Sequence, residues 1–118
     1  MNIESLLKKE LASYGLNEWV GEVGGEEVTL YAKPLSPADN ARVTRKFPNF
    51  NNTMEFAGMV EYIVIKAVDS EGNKVFSEKT KPLLMRLNQT KVGEIFNALF
   101  ADQLDENESD HEDKVGNS

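Results

Sequence analysis

The sequence predicts an α+β fold: a small, mostly helical domain with an N-terminal β-hairpin and a disordered acidic C-terminal tail. Apolar residues recur at three- and four-residue steps in several segments, the period of helices with one buried face. Around Gly24-Gly25 that period drops to two, as in paired strands. Charge is uneven. Of the net −7 on 118 residues, residues 102–118 carry −6 and the rest carry −1. Residues 1–104 are therefore read as one globular α+β domain and residues 105–118 as the tail.

Residues 3–14 read as a short amphipathic helix, with Ile3, Leu6, Leu7, Leu11 and Tyr14 opposite Lys8, Lys9 and Glu10. Gly15 is expected to stop it in a left-handed cap. Residues 18–33 read as the hairpin, in which Val28, Leu30 and Ala32 alternate with polar neighbours. Gly24-Gly25 suits a two-residue turn with positive φ angles, and Pro34 ends the ladder because it has no N–H. Ser36-Pro37-Ala38-Asp39 is a helix start: a capping serine, proline at the first position, an acid in the positive first turn. Pro48 should stop that helix, and residues 49–52 read as a polar loop around Phe50.

Residues 53–68 form the longest expected helix. Phe56, Ala57, Val60, Ile63, Val64 and Ala67 share one face, and Met59, Tyr62 and Ile65 widen it. A helix so widely apolar is central to the core or bound to something. Residues 60–68 also suit a strand, since Val, Ile and Tyr favour sheets, but the three-four spacing favours the helix. Residues 69–73 read as a turn, 74–76 as a short extended piece, and 80–87 as a short helix with Pro82 in its first turn. Thr90 is expected to cap a last helix over 91–101. Its stripe of Val92, Ile95, Phe96, Leu99 and Phe100 should pack on the long helix through Phe56, Val60, Ile63 and Val64. Beyond Leu104 only Val115 is apolar, too little to offset the entropy of ordering that segment.

Several function classes drop out. There is no Cys, and His111 is the single histidine, which excludes disulfides, thiolate metal sites, a cysteine nucleophile and any His-dependent triad. Neither the near-neutral body nor the acidic tail is a surface for nucleic-acid phosphates. No run of about 18 apolar residues could span a membrane. Residues 1–9 lack the apolar region of a secretory signal, so the expected location is the cytoplasm and the Asn-x-Ser/Thr triplets at Asn51, Asn88 and Asn107 are chance. Asp69-x-Glu71-x-Asn73 begins like a calcium loop, but Gly72 falls at the fourth place rather than the sixth and Thr80 stands where a bidentate Glu is needed. Glu55 and Glu61 read as the solvated face of the long helix, and Tyr14, Tyr31 and Tyr62 as core or rim residues. No catalytic residue, cofactor or metal site is assigned, and the chain is not read as an enzyme.

Two groups of residues remain. Arg42, Arg45 and Lys46 are either a solvated helix face or a dock for an acidic segment such as the chain's own tail. Met54, Met59, Leu84 and Met85 fall near the edges of their helices' apolar stripes. Methionine fills gaps in cores, but it also makes pliable surfaces that accept varied apolar partners. These four are the expected partner-binding residues.

The order of elements resembles a known family. Glu27-Val28-Thr29-Leu30 with Lys33-Pro34-Leu35-Ser36-Pro37-Ala38-Asp39 after it is similar to the opening of the tail assembly chaperones of long-tailed bacteriophages. Met59-Val60-Glu61-Tyr62, the stretch Asp69-Ser70-Glu71-Gly72-Asn73-Lys74-Val75-Phe76 and the helix with Val92-Gly93-Glu94-Ile95-Phe96 are similar to the central helix, the turn and the final helix of those proteins. The resemblance covers residues 27–100. It implies a non-enzymatic role in the host cytoplasm. Such chaperones bind the long helical tape measure protein, keep it soluble until the tail tube polymerises around it, and leave the finished virion. In many such phages a frameshift near the end of the gene adds a domain that contacts the tail tube protein, which makes that protein a further expected partner; separately, a second copy of the chain is an expected partner. Two other readings stand beside it: a structural tail or head–tail joining protein retained in the particle, and an acidic inhibitor that mimics DNA. Acids placed in a disordered end count against the mimic.

Overall fold

The computed structural model describes residues 1–100. It is mixed helix and sheet, with six helices and one antiparallel hairpin among those residues. The order is α1 (Ile3–Ser13), β1 (Asn17–Val23), β2 (Glu26–Ala32), α2 (Pro37–Lys46), α3 (Phe50–Thr53), α4 (Phe56–Lys66), α5 (Lys81–Leu84) and α6 (residues 89–100). The expected disordered tail, residues 105–118, lies outside the described residues, as does His111.

α4 is the centre. All seven residues from Gly58 to Val64 are buried. The expected contact with the last helix is made by rings: Tyr62 on α4 meets Phe96 and Phe100 on α6 at centroid distances of 5.9 and 6.2 Å. Phe50 completes the cluster, 5.1 Å from Tyr62 and 6.1 Å from Phe96 in tilted and edge-on geometry. One part of the expected contact differs. Phe56 sits at the first residue of α4, turned out of the core and 40% exposed.

Phe50 also explains why residues 49–52 are not a simple polar loop. Burying its ring pulls the backbone into the one turn of α3, which Met54 ends with a left-handed φ of 51°. α4 therefore starts at Phe56 rather than at 53. Gly58 leaves the room that the Phe50 ring occupies; a Cβ there would overlap it.

A hydrogen bond and an ion pair tie α4 to α2. α2 starts on the capping box of Ser36 and Asp39, as the sequence predicts. Asp39 also takes the Lys66 ammonium at 2.8 Å, and the Tyr62 hydroxyl donates to Asn40 Oδ1 at 2.6 Å. Partial burial pushes the Asp39 carboxyl up, but the Lys66 hydrogen bond and charge, with the Ser36 N–H, hold it below its ordinary value.

The hairpin has the expected turn, Gly24 and Gly25 at φ of 62° and 85°. β1 lies along α6. Asn17 Nδ2 donates to the Leu99 carbonyl at one end, and Lys91 Nζ donates to the Glu22 carbonyl at the other while standing over the Trp19 ring. Trp19 folds over its own strand at Gly21, where a Cβ would strike the indole. The strand alternative for residues 60–68 survives only at its end: α4 runs to Lys66, then Val68 exchanges both backbone bonds with Tyr31 and bridges to Lys74.

Two expected caps differ. α6 is capped by Asn88, whose side chain accepts from the Lys91 N–H at 2.8 Å, and not by Thr90, which is already inside the helix. α1 ends on an extended Tyr14, and Gly15 is not left-handed. Helix α1 buries none of its residues.

Candidate partner-binding surface

Helix α5 is one turn long, Lys81–Leu84, and Met85 and Arg86 follow it as a turn. One turn can aim only one of two adjacent leucines inward. Leu84 goes into the core at 4% exposure, and Leu83 is left outside at 62%. The segment before it folds on itself: the Ser77 N–H donates to Thr80 Oγ1 at 2.8 Å and the Lys81 N–H to the Ser77 carbonyl at 2.9 Å.

What fixes α5 to the body is a buried charge. Glu61 on α4 is 2% exposed and takes the ammonium of Lys81 in a short ion pair, with Lys46 from the end of α2 at 3.5 Å. The expected solvated position of Glu61 is thus overturned. The sequence places Glu61 on the polar side of its helix, but α5 and the end of α2 cover that side. Burial pushes the Glu61 carboxyl up, and the Lys81 hydrogen bond and charge, with Lys46 behind them, outweigh it and hold it below the ordinary value. Hydrogen bonding to Glu61 raises Lys81 in turn.

Two apolar hollows open on either side of this turn. One is formed by Val23 at the hairpin tip, Val75, Phe76, Leu83 and Leu87. The other is formed by Phe56, Ala57, Val60, Met85, Leu87 and Val92. Leu87 lines both, so they make one continuous surface. Its exposed members, Val23, Phe56, Val75, Leu83, Met85 and Leu87, belong to four separate parts of the chain.

Of the four expected partner-binding residues, Met85 alone lies openly on this surface, 48% exposed. Met59 and Leu84 are core residues, at 9% and 4%: Met59 lies in the buried run of α4 and Leu84 is the inward leucine of α5. Met54 is half-buried against the core on the strained turn between α3 and α4. The stripe-edge argument missed Leu83, Leu87, Val75 and Phe56. No local signal marked them, since a proline in the first turn suits a helix of any length.

Of the basic cluster, Arg42 and Arg45 are exposed or nearly so on α2, and Lys46 is committed to Glu61. Glu55 is half-buried and accepts the Thr53 hydroxyl at 3.2 Å. Tyr14 is exposed, Tyr31 half-buried and Tyr62 in the core. In the 69–73 turn the Asp69 carboxylate accepts the N–H groups of Glu71 and Asn73, and Gly72 takes φ of 85°. Among the described residues no group of three acids, histidines or cysteines could hold a metal ion, and no helix is long and apolar enough to cross a membrane.

No protein-family model matches the sequence, and neither a curated protein nor a solved structure matches it.

Proposed function

We propose that this protein is a tail assembly chaperone: it binds the phage tape measure protein, keeps it soluble during tail tube assembly, and is absent from the mature virion. The observation that carries the reading is the continuous apolar surface around α5. A monomeric protein seldom leaves so many large apolar side chains together without a partner. The two hollows share Leu87 as a wall and would take apolar anchors of a partner helix. Its exposed members sit in loops, in the one-turn α5 or at the ends of β1 and α4, so they can adjust to anchors that differ along a long client. The resemblance of residues 27–100 to such chaperones supplies the client.

The test is co-expression with the tape measure protein encoded by the same phage. Wild type should keep most of it in solution, and Leu83→Glu with Met85→Glu should lose that effect while leaving the melting profile unchanged. Equal solubility with an empty control would refute the client reading. Mass spectrometry of purified particles separates the chaperone from a structural tail or head–tail joining protein, because the latter stays in the virion.

A further inference from the structure

We infer that α1 is a self-association element: two copies pair their α1 helices antiparallel about a two-fold axis, the first turn of each lying in the groove at the root of the other. The inference does not depend on the client reading. Ile3, Leu6, Leu7, Leu11, Tyr14 and Leu16 are each 43–60% exposed. An isolated helix of 11 residues is marginal in water, and most helical stability comes from packing an apolar face. This helix has such a face, and among the described residues nothing buries it.

Three features select a second copy. The first is area. Six half-exposed side chains offer on the order of 600 Å² per copy, so two copies bury on the order of 1,200 Å², the lower bound for a stable interface. The second is shape. Antiparallel pairing of helices about 16 Å long sets Leu7 on the axis and Ile3 beside Leu11 and Tyr14 of the other copy. There the structure has a groove, lined by Ala12, Tyr14, Leu16, Ile65, Lys66 and Val68. The third is charge. That groove is rimmed by Lys33, which is exposed and forms no ion pair among the described residues, and the arriving first turn carries Glu4. α1 itself is neutral, with two acids and two lysines, so the copies meet through a segment that does not share the net charge of −7.

Sedimentation of the full chain between about 1 and 200 µM should show a dimer, and Leu7→Glu should make it monomeric with an unchanged near-ultraviolet spectrum from Trp19. Lys33→Glu should raise the dissociation constant roughly two- to five-fold, the range for a rim charge. The chain has no cysteine, which allows a positional test. Leu7→Cys should cross-link to itself, and Ile3→Cys should cross-link to Leu11→Cys rather than to another Ile3→Cys. A wild type that stays monomeric overturns the inference, as does a dimer that survives Leu7→Glu. Ile3→Cys self-linkage overturns the antiparallel arrangement. A monomer whose Leu7→Glu variant no longer keeps the tape measure protein soluble would assign α1 to the client instead. Failure here leaves the chaperone test untouched, since that test reads variants on α5.

Discussion

Helices α1 and α4 have the same length, 11 residues each, and opposite reasons to exist. α1 has the local devices: Asn2 caps it by accepting the Ser5 N–H, and Glu4 pairs with Lys8 one turn on. It has no burial. α4 has no side-chain cap at Glu55, yet it buries seven residues in a row and organises everything around it. Local signals therefore say where a helix can start, and tertiary packing says which helix holds the fold.

The comparison is broken most directly at α6. Phe96 is fully buried against Tyr62, Phe50 and Phe100. Phe96→Ala should cost about 3–5 kcal/mol in a urea titration. A loss under about 1 kcal/mol would mean that α4 does not depend on the ring cluster.

Next in size is the buried pair under α5. Lys81→Ala leaves Glu61 with only Lys46, and should cost about 2–3 kcal/mol, below a fully orphaned charge. The same charges set an acid limb. Asp39 and Glu61 are both held below their ordinary values in the folded chain, so the unfolded chain binds their protons more readily. Stability from the two is complete above about pH 5 and drains as pH falls through the depressed native values. Thermal melts at pH 7, 5, 3 and 2 should show this loss. The Lys81→Ala protein should lose less on acidification, because its Glu61 is no longer held down by that partner.

The smallest effect should come from α1. Asn2→Ala should reduce its helicity, seen as altered amide shifts for residues 3–13. The unfolding free energy of the body from a urea titration should change by less than about 0.5 kcal/mol. A large change in that free energy would show α1 to be part of the core after all.

Much of the fold was readable because it rests on local rules. Gly24-Gly25, Ser36-Pro37-Ala38-Asp39 and the stripe from Val92 to Phe100 each settle a short stretch without reference to the rest. Phe50 was not readable, since its turn exists only to bury a ring between elements distant in sequence. Glu61 was misread for a similar reason: a carboxylate on the polar side of a helix is solvated unless another segment covers it, and that segment lies 20 residues on. The candidate surface was legible at Met85 alone. Its other members are exposed by the shortness of α5 and by the hairpin tip reaching toward Val75, which periodicity within one helix does not encode.

The hairpin has a consequence for behaviour at high concentration. A two-stranded sheet has two edges, and an open edge is a template on which other chains polymerise. Here β2 gives its outer backbone at Tyr31 to Val68, and α6 lies along β1, with Lys91 covering the Glu22 carbonyl. β1 also carries Glu18 and Glu22, which would meet like charges if two such strands ran together. With both edges occupied or guarded, the hairpin offers no template for further strands as the concentration rises.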